Sequence, residues 1–300
     1  MRIKVFKFLK NKQIKRKLFF KLMPLYNLIL KKILPKSFLL KKYKLVAIGE
    51  KMRMYKNPRW VTLDLVGDPD IKLNLQDISK GLPFKSNSLR CIYSSHNLEH
   101  ISIDSSINFF REVKRILKNG GELLLDVPCC ETIYKLIGTS INEPQNLKLQ
   151  RFLKTFEITD YTLKLSYSTC PSNKKVPSDW VKHPINKLSH IIACYMNGID
   201  DHHLPVIYNP QEVIKAYGDL SMDDFFEYLF NQMPKGMRYS GGHCEAWYPE
   251  KAKRFLEKEG FITTYRYTGE SQTLNKNIIP DRGDPSRDAY SFKISAVKVA

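Results

Sequence analysis

The chain has 300 residues, 43% of them hydrophobic and 12% aromatic, which is enough to build a large core and excludes a disordered or collagen-like protein. The charge is uneven: residues 1–44 hold 15 of the 49 Lys and Arg and no acid, so 34 basic against 30 acidic residues leave only +4 for residues 45–300. A balanced body behind a +15 leader argues against a nucleic-acid-binding face spread over the domain, although an excess of lysine is also what compositional bias alone produces. The six cysteines form no CxxC pair and fit reduced thiols in a cytosol-facing protein.

The leader comes first along the chain. Its apolar run from Phe19 to Pro35 is interrupted by Lys21, Pro24, Asn27, Lys31 and Lys32. That falls short of the roughly 20 nearly uninterrupted apolar residues a spanning helix needs, and it never forms the charge-free centre of a secretory signal. The expected structure of residues 1–44 is a basic amphipathic helical extension. Phe6, Leu9, Leu18, Leu22, Leu28 and Ile29 can enter an interface while the lysines meet anionic headgroups. Packing against the rest of the chain and contact with RNA are the competing uses of this segment.

From Lys44 onward, short apolar runs alternate with polar turns and helical stretches. Leu45–Ile48 reads as a buried strand ended by Gly49, Trp60–Asp64 as a second strand ending in an acid, Ile71–Asn74 as a third, and Cys91–Ser94 as a fourth. Asp104 or Ser105 is the expected cap of a helix carrying Ile107, Phe110, Val113 and Leu117 on one side and stopping at Gly120-Gly121, before a fifth strand Glu122–Val127. Buried strands alternating with helices call for right-handed crossovers and a mostly parallel sheet, with ligands at the carboxyl ends of its strands.

Residues 129–242 are too long for a simple connection and predict a helical, substrate-covering insertion, with helices starting near Asn209-Pro210 and capped at Ser221 or Asp223. His190, Cys194, His202 and His203 match no zinc spacing, so no metal is expected. After Gly241-Gly242-His243, a helix from Pro249 to Glu259 ends at Gly260. Phe261–Tyr265 then begins a strand, and Tyr290–Lys298 forms the final antiparallel one.

The ordered fragments Trp60-Val-Thr-Leu-Asp64, Asn74-Leu-Gln-Asp77-Ile78, Leu82-Pro83-Phe84, Ile92-Tyr-Ser-Ser95-His96-Asn-Leu-Glu99-His100 and Phe110 to Leu123 resemble the core of class I S-adenosylmethionine-dependent methyltransferases. They are similar in particular to small bacterial methyltransferases encoded with surface-polysaccharide biosynthesis. The likeness covers roughly residues 44–128, with an echo at 243–300. It implies an α/β, Rossmann-like, mostly parallel seven-stranded sheet in residues 45–300. It also implies S-adenosylmethionine as cofactor and a set of roles: Gly49 for close backbone approach, Asp64 for the ribose hydroxyls, Asp77 for the adenine amino group with Ile78 against the ring, and Ser95 beside the reacting methyl group. For a hydroxyl acceptor the candidate bases are His96 and His243, since a neutral imidazole suits that proton transfer. The implied acceptor is a sugar or glycan precursor, with the leader holding the protein on the cytoplasmic membrane face. Where the family usually has a second glycine this chain has Lys51, which keeps a catalytically inactive, methyltransferase-like partner or scaffold open as an alternative. An RNA methyltransferase is disfavoured by the confinement of the charge to the leader.

Overall fold

The computed structural model describes residues 45–49, 60–65, 67, 69–143, 145–147, 149–151, 192, 209–233, 243–267 and 290–299. The leader, Lys51, His190, Cys194, His202 and His203 lie outside the described residues.

Seven strands form one sheet: β1 (Leu45–Ile48), β2 (Trp60–Asp64), β3 (Ile71–Lys72), β4 (Leu89–Ser95), β5 (Leu117–Pro128), β6 (Phe261–Tyr267) and β7 (Ser291–Lys298). Their order across the sheet is β3-β2-β1-β4-β5-β7-β6. The first five run parallel and β7 is antiparallel to both its neighbours, so the sheet is the expected seven-stranded, mostly parallel one. The order reverses between β1 and β4, and an open α/β sheet offers its ligand crevice at the carboxyl ends of the strands beside such a reversal. Val46, Ile48, Val61, Leu63, Ile92, Leu123 and Leu125 are at most 1% exposed, as strands covered on both faces require.

The helix α1 (Ile103–Ile116) turns Ser106, Phe109, Phe110, Val113 and Ile116 inward at helical spacing. Its cap is Ser102 rather than Asp104 or Ser105. The Ser102 Oγ accepts the Ser105 N–H at 3.2 Å, satisfying one of the helix's otherwise orphaned donors. The helix also ends earlier than the glycine pair suggests. Leu117 already has extended dihedrals and opens β5, while Gly120, at φ 71°, serves an irregularity inside that strand. There the pairing with β4 steps from Leu89 opposite Leu117 to Cys91 opposite Glu122. The third strand is shorter than expected because Asn74 leaves it to cap the 3-10 turn Leu75–Lys80, its side chain accepting the Gln76 N–H at 3.0 Å.

Within the described part of residues 129–242, α2 (Cys130–Asn142), α3 (Pro210–Asp219) and α4 (Met222–Asn231) share a core of their own. It is built on Ile133, Ile137, Val213, Phe225, Phe226 and Phe230. The helix α5 (Pro249–Lys258) packs Ala252 and Leu256 into the main core beside β6 and β7. No helix among the described residues is long and apolar enough to cross a membrane.

Candidate active site

The carboxyl ends of β1, β2 and β4 carry the polar residues that the sequence singles out. Gly49 follows β1 at φ 78°, a left-handed conformation that costs glycine nothing. Its N–H donates to the Leu63 carbonyl at 3.0 Å. A Cβ at this position would run into the side chain of Asn97, so the glycine is what lets Asn97 lie against the end of β1. The Asn97 Nδ2 lies 3.0 Å from the Ile48 carbonyl, 3.1 Å from the Ser94 Oγ and 2.8 Å from the Ser95 carbonyl. One NH2 group with two hydrogens thereby ties the end of β1 to the end of β4.

Asp64, the last residue of β2, is half-buried, and its carbonyl accepts the Leu73 N–H at 3.1 Å. The turn beyond it is braced by a reciprocal pair: Asp70 Oδ2 accepts from the Thr62 N–H at 2.9 Å and from the Thr62 hydroxyl at 3.0 Å, while the Asp70 N–H donates back to Thr62 Oγ1 at 2.9 Å. Asp77 is exposed and accepts from the Ser79 hydroxyl at 2.8 Å. Ile78 packs in the main core at 3% exposure. Ser95 ends β4 and is buried.

His96 follows directly, with its backbone at φ 53°. A non-glycine residue held there stores strain of about 1–3 kcal/mol and points to a functional constraint. The conformation is held by the His96 N–H, which donates to the Asp126 carbonyl at the end of β5 at 2.8 Å. Its ring is bracketed: Nε2 shares a hydrogen bond of 3.0 Å with the Ser291 Oγ, and Nδ1 stands 3.5 Å from the Glu99 carboxylate. The same carboxylate oxygen lies 3.8 Å from His100 Nε2 and 4.0 Å from His243 Nε2. The two histidines named from the sequence as bases, 147 positions apart, are thus gathered with His100 around one fully buried acid. Burial, followed by the neighbouring His100 and His96 rings, holds the pKa of His243 well below the usual imidazole range.

Sequence reasoning gave no role to Asn97 or Glu99. The spacing of Glu99, three residues after His96 and one before His100, was visible in the chain. The approach of Asn97 to Gly49, of Ser291 to His96 and of His243 to Glu99 required the fold.

The site fits an adenosine-type cofactor: a left-handed glycine stands at the first strand end, a half-buried carboxylate at the second, and a strained histidine beyond the fourth. Residues 38–125 match the family model described as a methyltransferase domain. No curated protein matches the chain. Among solved structures, an S-adenosylmethionine-dependent methyltransferase from Mesorhizobium loti is similar at 14% identity and a TM-score of 0.37, covering 90% of this chain and 95% of its own. A second from Archaeoglobus fulgidus is similar at 12% identity and 0.35, covering 91% and 94%. Phosphoethanolamine N-methyltransferase 2 of Haemonchus contortus, solved with S-adenosyl-L-methionine, is similar at 13% and 0.35, over 92% of this chain and 52% of its own. The strand order and the match of residues 38–125 to a methyltransferase domain together support a methyltransferase-type fold in this chain, with S-adenosylmethionine as the cofactor that match implies.

Proposed function

We propose that the protein methylates a hydroxyl of a sugar or glycan-type acceptor, with His96 removing the hydroxyl proton. The position of His96 carries this reading. It stands at the reversal of strand order, one residue past the end of β4, beside the β1 end marked by Gly49. The cofactor supplies an electrophilic methyl group on a sulfonium, so what remains for the protein is to align two reactants and take up one proton.

Each residue then has a task that its chemistry allows. Gly49 admits the cofactor to the backbone. The Asp64 carboxylate accepts from the ribose hydroxyls, Asp77 accepts from the adenine amino group beside the segment of Ile78, and Ser95 borders the reacting methyl. The Glu99 carboxylate, 3.5 Å from His96 Nδ1, favours the tautomer protonated there and leaves Nε2 as the acceptor, and a substrate hydroxyl takes over the contact that Ser291 now makes. Between the two candidate bases His96 is favoured, with 10% of its side chain exposed against 4% for His243. The +15 leader supports action at an anionic membrane surface on the cytoplasmic side, where a lipid-linked glycan precursor would be met.

The test supplies S-adenosylmethionine with a labelled methyl group to the full chain, together with membrane-derived glycan precursors or RNA. Label held in the saccharide as a base-stable ether supports the reading. Label in RNA overturns the acceptor class. Cofactor binding without transfer to either acceptor favours the partner or scaffold alternative.

A further inference from the structure

We propose that Glu99, His100 and His243 form a binding site for a divalent first-row transition-metal cation. Each side chain offers one ligand atom, and the three atoms lie within 4.8 Å of one another. Glu99 Oε1 is 3.8 Å from His100 Nε2 and 4.0 Å from His243 Nε2. Around a four-coordinate cation with metal–nitrogen distances of about 2.0–2.1 Å, ligand atoms stand roughly 3.3 Å apart, so side-chain movements of about 0.5–1 Å would close the set. Two imidazoles and a carboxylate are the donors that Zn2+, Fe2+ and Co2+ accept. A three-residue set leaves a coordination position for a further ligand.

The surroundings are those of a built site. Glu99 is 0% exposed and His243 3%, while the His100 side chain keeps 35% exposure and gives a cation a way in. The backbone that carries the ligands is pinned on both sides. The Glu99 carbonyl accepts the Cys244 N–H at 2.6 Å and the Glu245 N–H at 3.3 Å, the Leu98 carbonyl accepts from Trp247 Nε1 at 3.1 Å, and the His100 carbonyl accepts from Gln76 Nε2 at 2.6 Å. These bonds fix the backbone from which the three ligand side chains project. His96, 3.5 Å from the same carboxylate, joins the proposed cation to the methyl-transfer site. Binding is read without cofactor or acceptor, so failure here leaves the methyl-transfer reading standing.

The experiment strips the full chain with a chelator and titrates it with Co2+, reading the visible ligand-field bands, then displaces the Co2+ with Zn2+. One equivalent of Co2+ per chain is expected, without thiolate charge-transfer bands. Glu99→Gln and His100→Gln should each weaken binding at least about 100-fold, whereas the His202→Gln/His203→Gln double variant should bind as the parent does. Because His100 is partly exposed, its variant keeps the test alive even if Glu99→Gln fails to fold. No saturable binding, thiolate bands, or undiminished affinity in folded His100→Gln would each overturn the proposal.

Discussion

Glu99 and Glu112 lie thirteen positions apart and meet opposite fates. Glu112 sits on α1 in a conventional clamp. Arg115 Nε donates to its Oε1 and Arg115 Nη2 to its Oε2, both at 2.8 Å, and the Leu82 N–H adds a third bond at 2.7 Å. The same guanidinium reaches the carbonyls of Phe84 and Leu82, so the pair holds the turn that enters β4. Those bonds, with the Arg115 charge, pull the Glu112 carboxyl below its ordinary range. Glu99 is more deeply buried, and among the described residues three imidazoles approach its carboxylate. A carboxylate matched by a fixed cation explains itself as structure. One buried with three imidazoles within 4.0 Å stands where chemistry or a ligand can use it.

The sharpest way to break this contrast is at His96. His96→Asn, a residue that tolerates the left-handed backbone, should lower kcat for methyl transfer by about 10²–10⁴-fold while calorimetry finds cofactor affinity unchanged. If the rate holds, His96 is not the base. Asp64→Asn should act on the other quantity, weakening S-adenosylmethionine binding about 10- to 100-fold through the loss of charge-assisted bonds. Glu112→Gln should leave that affinity alone. Equal effects of the two changes would erase the distinction between ligand-facing and structural carboxylates.

Glu112→Gln should instead cost about 1–2 kcal/mol of stability in urea unfolding at neutral pH, a modest figure because Arg115 remains 37% exposed. Since the carboxyl pKa is lower in the folded chain than its ordinary 4.5, the stabilisation is complete above that value and fades as pH falls through the folded pKa. The gap between parent and variant should therefore close in acid. A gap that persists there would assign the clamp to packing rather than charge. The smallest change is expected from the leader. Phe6, Leu9, Leu18 and Leu22 changed to Ser should reduce co-sedimentation with anionic liposomes beyond what salt achieves, because apolar insertion is lost while every lysine remains. Unchanged sedimentation would leave the leader as a polybasic tether.

Much of the fold was legible along the chain because buried parallel strands are short apolar runs and their boundaries are local events. Leu45–Ile48 and Trp60–Asp64 have the bounds that the residues alone imply. The helix start at Asn209-Pro210 and the cap at Ser221, one of the two candidates there, were equally readable, since a cap side chain bonds only to its own first turn. Local chemistry misled where two signals competed. Gly120-Gly121 looks like a helix stop, but pairing with β4 draws Leu117 into β5 and leaves the glycines to shape a bulge. The residues of Asn97-Leu98-Glu99-His100 were in plain view, yet their meaning lay in approaches the chain order does not show. Gly49 meets Asn97 because β1 and β4 are neighbours. His243 meets Glu99 because the Cys244 and Glu245 amides bond back to the Glu99 carbonyl across 145 residues or more. Sequence alone determined the elements and the order of strand ends, because propensity, burial period and capping act within a few residues. Only the tertiary structure decided that His243 joins His96 and His100 at Glu99, because that depends on contacts between segments whose separation along the chain carries no trace of their distance in space.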